Sequence, residues 1–506
     1  MLGTFLAAFD SRLFTVALAD LRGAFSLSFD EGSWLATAAL APQIFIAPAV
    51  AWLATVFGVR RLLGVPSLLY AGISLVIPFT SNVDLLVLLH IMRGLLLGMF
   101  VPATLIIILR NLAMSWWLPT IALYAFRASF TLNAGVALGG FYVETIGWEW
   151  MYWQDVLVAP LMAVFVWLGA PHERVNRSLL VQADWGGMLL FGSGLMLIYI
   201  GLDQGNRLDW LESGTVVATL AGGGFLILCF WVNELLHRDP WASASVMLSR
   251  NIGLMLFVTI MFTLSSVSNS TLVPNFLTSI AQLRPEQIGH LLFYYCSLPL
   301  IVMTPIAVFL LRRIDARIVL IIGLSTFAAA SLWGTSLTAE WRLGDFIPVV
   351  LLQAAGHGLT FVSIILIALS NSNPARVTAF SAYIQVLRLG GTQIGMALMA
   401  TWLRVREQIH SHYLGQHVID GGNKVNEVLG ALVPKFQSLD AALGYQRAVS
   451  TLAASIQKQS YVLAYIDGFW LTFWAAVIGL IGVALMKGAP AGPFTPKARK
   501  APSIRG

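Results

Sequence analysis

Charge is what this chain has least of. Only 11% of its 506 residues are Asp, Glu, Lys or Arg, where a soluble domain carries roughly 25%, and a water-soluble fold of this size is set aside on that ground. Cysteine is almost missing as well. Cys229 and Cys296 are the two, both inside apolar stretches, so neither a thiolate metal cluster nor a disulfide framework is expected. No GxxxxGK(S/T) phosphate loop occurs, which removes ATP as the energy source. HExxH, CxxC and a nucleophile elbow are also absent, so no enzyme, cofactor or metal site is expected. The net charge of +6 comes from Lys and Arg scattered through short connections; without a basic stripe it points away from nucleic acid. A cleavable leader is not evident, because the first apolar segment starts almost at Met1, lacks a basic flank and contains Asp10 and Arg12.

Hydrophobicity fills the space that charge leaves: 58% of residues are apolar and the mean hydropathy is +0.79. About twenty consecutive apolar residues cross a bilayer as a helix. Runs bounded by charge, Gly or Pro place seven spans near 3–23, 33–56, 61–80, 85–109, 114–140, 153–170 and 185–204. Seven more fall near 214–236, 251–279, 288–311, 317–337, 345–370, 378–403 and 463–486. Loop charge supplies an independent check, since positive residues stay on the cytoplasmic side of short loops. Sixteen Lys and Arg, among them Arg60, Arg61, Arg110, Arg174, Arg312, Arg313 and Lys487, collect on one set of alternating connections. The opposite short loops hold four: Arg22, Arg207, Arg284 and Arg342. Fourteen spans with both termini cytoplasmic satisfy this asymmetry; thirteen or fifteen would scramble it.

The expected architecture is an all-α integral membrane protein in four parts: a six-helix bundle over 1–171, an inserted helix pair over 172–240, a second six-helix bundle over 241–486 and a basic tail over 487–506. The tail, rich in Pro and small residues, is expected to be disordered. Basic residues at corresponding tight turns, "WLATVFGVRRLLG" and "FLLRRIDARIVLIIG", mark the weak repeat that relates the two halves. The extracytoplasmic loop 404–462 shows apolar residues at helical spacing. One or two amphipathic helices are expected there, lying on the membrane face or docking a periplasmic partner.

Several segments resemble the major facilitator superfamily, and within it the fourteen-helix drug:proton antiporter family of multidrug exporters. "FDSRLFTVAL" is similar to that family's first-span motif, "GVALGGFYVETIGWEWMYWQDV" to its glycine-rich fifth-span motif with the aromatic turn behind it, and "ADWGGMLL" to the start of the inserted pair. The chain departs from the pattern at Thr55, where the family has an acidic residue, although Gly58, Arg60 and Arg61 remain. Counting back from Pro102, His90 stands where the family has Arg and Arg93 where it has Gln, with Gly94 and Gly98 retained. Val136 replaces a proline beside Gly135, Gly139 and Gly140.

Ionisable residues inside a span cost roughly 2.5 to 3.5 kcal/mol or more at the bilayer centre, so they usually face the bundle interior and find partners. Asp10 lies about 10 Å along its helix and reads as the one deep carboxylate of the amino-terminal half. It can carry a proton, or form a structural ion pair with Arg12, Arg93 or Arg127. His90 and Arg93 are three apart and share a face; Arg93 can supply the cation and His90 a second proton carrier, or His90 can simply bond a neighbouring backbone. Arg127 can pair with Asp10 or attract an anionic substrate. Asn269, His357, Gln385 and Arg388 are candidate substrate contacts in the second half. Four in-span arginines against one deep carboxylate bias the cavity toward amphipathic or anionic molecules. Gly135, Gly139 and Gly140 let two helices pack closely; the resemblance makes that contact, with the turn at Gly58, Arg60 and Arg61, a gate, and simple tight packing is the alternative, while Trp148, Trp150, Tyr152 and Trp153 suit an interfacial belt.

By this reading the chain is a proton-coupled exporter of small amphipathic molecules in the bacterial cytoplasmic membrane, without a cofactor, working alone or with a periplasmic adaptor protein. Facilitated diffusion, import, or a sensor or scaffold acting through 404–462 are the alternatives.

Overall fold

The computed structural model describes residues 1–237, 241–242, 250–371, 382–384, 386–419, 422–436 and 441–487, and among them there is no β-strand. In chain order the long helices are α1 Leu2–Val16, α2 Phe29–Phe57, α3 Val59–Phe79, α4 Val83–Asn111 and α5 Trp117–Ile146. They continue with α6 Trp150–Gly169, α7 Trp185–Gly205, α8 Gly214–Leu236, α9 Arg250–Ser279 and α10 Pro285–Leu311. The last five are α11 Ala316–Gly334, α12 Leu343–Asn371, α13 Gly391–Ile419, α14 Asn423–Phe436 and α15 Ala441–Ala484.

Polar residues start the helices where the apolar runs begin. Ser28 and Glu31 form a reciprocal capping box at α2; Asn82, Asp184 and Asp315 accept a first-turn backbone N–H at α4, α7 and α11. Between α2 and α3 the chain turns on one residue, Gly58, at φ +79°. That left-handed value suits glycine, and a side chain there would press on Glu173. Twelve helices among the described residues are long and apolar enough to cross a membrane. Their outward faces are apolar: Leu68, Leu69 and Val76 on α3, Leu157, Phe165 and Leu168 on α6, and Phe225 and Leu228 on α8 are exposed. Large exposed apolar surface of this kind on a chain that buries Asp, Arg, His and Asn side chains is the inversion that lipid demands.

In the first half α1 packs on α4, α5 and α6, α2 on α4, and α3 on α6; in the second, α9, α11 and α13 gather on α15 and α12 packs on α10 and α11. The α7–α8 pair leans on α2, and α5 crosses to α10 and α12. Helix packing in lipid relies on close approach of small residues, and α5 against α10 is a clear case. A Cβ on Gly289 would stand 2.4 Å from the Ala137 Cα, and one on Gly140 2.9 Å from the Glu286 Cα.

The segment 404–462 is helical in α13, α14 and the first half of α15. α13 runs unbroken to Ile419, and α15, with no proline inside it, starts at Ala441. Its 44 residues measure about 66 Å, more than twice a hydrocarbon core. α13 and α15 therefore extend past the apolar layer as rods, with α14 against α15. Asp467 joins the rods, accepting from Arg406 Nε and meeting His410 Nε2, both at 2.6 Å. The tail, 488–506, lies outside the described residues.

Candidate functional site

Two polar sites occupy opposite faces of α1. Asp10 and Arg12 are two residues apart, which is about 200° around a helix, so they look into different parts of the molecule.

On the Asp10 face, Arg93 of α4 lies between two carboxylates. Its Nη1 donates to Asp10 Oδ1 and its Nη2 to Asp155 Oδ2 of α6 at 2.6 Å. Nε donates to Ser74 Oγ at 3.1 Å. Tyr70 Oη donates to the same Asp155 oxygen at 3.0 Å, and the rings of Tyr70 and Tyr152 flank the guanidinium at 4.9 and 5.1 Å. Arg93, Asp10 and Asp155 are at most 2% exposed. The planar fork of arginine can hold two carboxylates at once, and two acids around one cation leave a negative charge uncompensated. His90 sits at the edge, its Nδ1 2.7 Å from Leu86 O and its Nε2 3.1 Å from Tyr152 Oη. The backbone bond foreseen as the simpler alternative for His90 is thus present, together with a link to Tyr152.

On the Arg12 face lies a cavity of about 140 Å³ between α1 and α5 on one side and α9, α12 and α13 on the other. Among the described residues Arg12, Arg127 and His357 are its ionisable lining residues, and none of those described is a carboxylate. Arg127 donates through Nη1 to Thr4 O and lies 5.1 Å from the Tyr124 ring, while its Nε and Nη2 are buried without a partner among the described residues. His357 is wedged edge-on against Phe262 and Phe327, with Nδ1 3.4 Å from Ser129 Oγ. Asn269 donates to Asn133 Oδ1 at 2.7 Å and to Cys296 Sγ at 3.3 Å. Asn269 sits in a π-helical turn, Ser268–Leu272, a distortion that frequently marks functional positions.

The structure thus unites Asp10 with Arg93, and Arg127 with Asn269 and His357, as separate groups. Three expectations are corrected. Asp10 is not the one deep carboxylate of its half: Asp155, placed by the sequence near a span end, is as deeply buried. Its signal was Tyr152, three residues earlier on the same helical face, which is fully buried and so is no part of an interfacial belt. Arg127 also does not pair with Asp10. Gln385 lies outside the described residues, as does the side chain of Arg388, whose backbone belongs to the π-helical turn Val386–Gly390. Thr392 and Gln393 line the cavity beside it. Arg61 is exposed and Arg60 half-buried. Of the three α5 glycines, Gly140 meets α10 and Gly135 meets Arg12, while Gly139 faces open space. Gly289→Val should therefore wedge α5 from α10. The expected result is a Tm lower by several degrees in thermal unfolding of the purified protein.

A family model described as the Major Facilitator Superfamily matches residues 1–283, more than half the chain, and the chain belongs to that superfamily. The fold agrees: a D-xylose-proton symporter superposes with a TM-score of 0.55 at 12% identity, over 98% of this chain and 97% of that one. An auto inhibited POT family peptide transporter gives 0.56 at 15%, over 99% and 98%. Among sequence relatives, the multidrug export protein EmrB of Haemophilus influenzae is 24% identical across 96% of this chain and 93% of its own. The fatty acid resistance protein FarB of Neisseria gonorrhoeae is 22% identical, across 82% of each.

Proposed function

We propose that this chain is a secondary active transporter of the bacterial cytoplasmic membrane that exports small amphipathic molecules, preferentially anionic ones, in exchange for protons. The observation that carries the reading is the two-faced α1. One face holds the acid-rich Asp10–Arg93–Asp155 group, the other a cavity whose charged lining is cationic. A helix that holds both must move both, which is the coupling an antiporter requires. Asp10 carries the proton and Arg93 holds it in place; His90 relays through Tyr152. Arg127, Asn269 and His357 hold substrate, with Gln385 and Arg388 completing the second half of the site. The names of the export and resistance relatives point the same way.

The topology that goes with this function is fourteen spans with both termini cytoplasmic. α1 is short but packs inside the bundle, α13 packs on α9 and α15, and counting both with the twelve apolar helices gives an even number. Residues 1–171 and 241–486 form the two rocking halves, and 172–240 the helix pair between them. Gly58 with Arg60 and Arg61 forms the cytoplasmic turn, and Gly135, Gly139 and Gly140 the extracytoplasmic closure. The α13–α15 rods, projecting from the membrane, offer the surface for a periplasmic adaptor.

In proteoliposomes with an imposed pH gradient, the wild-type chain should move a fluorescent fatty-acid-like probe against its concentration. Asp10→Asn should abolish the gradient-driven component while leaving probe binding within about three-fold. Export by Asp10→Asn with undiminished proton dependence would defeat the mechanism.

A further inference from the structure

A second chamber adjoins the first. It measures about 360 Å³ and is lined by Val136, Asn275, Thr278, Ser279, Tyr465 and the α10 start, and Arg12 lines both it and the central cavity. Arg12 is 3% exposed and engages no carboxylate among the described residues. Its Nε donates to Leu132 O of α5 at 2.7 Å and its Nη1 to Ser270 O of α9 at 2.9 Å, so one side chain bridges α1 and α5 to the other half. Its stem rests on Gly135, where a Cβ would stand 3.3 Å from the Arg12 Cβ. The Ser270 carbonyl comes from the π-helical turn of α9, whose Ser270 and Thr271 hydroxyls are buried without partners among the described residues.

We propose that the two chambers are one export route and that Arg12 is the barrier between them, opened by the negative charge of the substrate. This deepens the anionic-substrate reading above and rests on it. A neutral carbonyl is a weaker partner for guanidinium than a carboxylate, which adds a full opposite charge and can take two parallel N–H bonds from the planar fork. A carboxylate arriving in the central cavity therefore displaces Leu132 O and Ser270 O from Arg12, and the bridge between the halves is released. The central cavity alone is smaller than the roughly 300 to 1,000 Å³ usual for ligand pockets; joined to the outer chamber it enters that range. The occupant that fits is a long-chain monoanion, its head on Arg12 and Arg127 and its tail against Phe262, Phe361 and Met396. A lipophilic cation gains nothing from Arg12 and does not open it.

The test is thiol labelling from outside in right-side-out vesicles without a gradient, which reads the barrier independently of transport. Single cysteines are placed at Ser266 in the central cavity and Thr278 in the outer chamber, with Cys229→Ser and Cys296→Ser as background. Small impermeant reagents of either charge are used. Thr278→Cys should label quickly with or without Arg12. Ser266→Cys should label at least ten-fold more slowly when Arg12 is present than in Arg12→Ala or Arg12→Gln; Arg12→Lys, a single point charge that cannot hold both carbonyls, should fall between. Dodecanoate should accelerate Ser266→Cys labelling in the Arg12 protein, and tetraphenylphosphonium should not. Equal Ser266→Cys rates with and without Arg12 would overturn the barrier. Equal acceleration by the two amphiphiles, or by neither, would overturn the charge trigger. A chain that gates in this way but fails to move dodecanoate in proteoliposomes would instead overturn the transport reading.

Discussion

Replacing Arg93 with methionine is expected to abolish transport and to lower the Tm of the purified protein by about 5 °C or more. Arg93 is fully buried and is the cation that both Asp10 and Asp155 contact. Removing one member of a buried ionic group typically costs about 3 to 5 kcal/mol, because the charge left behind has neither water nor a partner. Here two carboxylates would be left facing each other, with Tyr70 donating to only one of them. Neutralising the whole group should reverse the damage: in Arg93→Met combined with Asp10→Asn and Asp155→Asn the Tm should recover most of the loss, since neutral groups of similar volume often replace a buried ion group without penalty. Transport should not recover. Thermal unfolding in detergent and proton-driven uptake, measured on the same preparations, check both halves of the statement. An Arg93→Met protein as stable as the parent would show that the three charges do not hold α1, α4 and α6 together.

Arg127→Glu should change which molecules bind. Arg127 lines the central cavity, spends one nitrogen on Thr4 O and keeps Nε and Nη2 buried without a partner among the described residues. A hydrogen bond to a charged group contributes about 1.5 to 3 kcal/mol, so loss of the contact should weaken a carboxylate ligand by roughly 10- to 100-fold. Reversing the sign adds repulsion from the same position. Titration calorimetry with dodecanoate should show that loss, while the methyl ester should bind within about three-fold of the parent. A lipophilic cation should gain affinity. If dodecanoate binds Arg127→Glu as it binds the parent, Arg127 is not its anchor. Arg127→Gln, which keeps a donor without the charge, should fall between and separates electrostatics from hydrogen bonding.

Much of this site was visible in the residues, and the reason is lipid. An ionisable group inside a span is expensive enough that Asp10, Arg93, Arg127 and His357 stood out one by one, and each proves buried. Two important readings failed for a common cause. Asp155 follows a cluster of aromatic residues at the start of its expected span, so nothing in the sequence marks it as deep. The structure carries α6 deep beside α3 and α4, and the acid goes with it. Arg12 was visible only as a partner for Asp10, whereas two residues of helical advance turn it away from Asp10 altogether.

The sequence by itself determined that this chain crosses a membrane as many apolar helices and which side chains are too polar for the place they occupy. Those properties are local: they follow from the length of each run and the cost of each buried charge. Only the tertiary structure decided who meets whom. Helical periodicity assigns a residue to a face, but the neighbour opposite that face depends on how the helices are arranged around one another. That arrangement made one acid network from three helices, joined Arg127, Asn269 and His357 across the two halves, and placed Arg12 between two chambers.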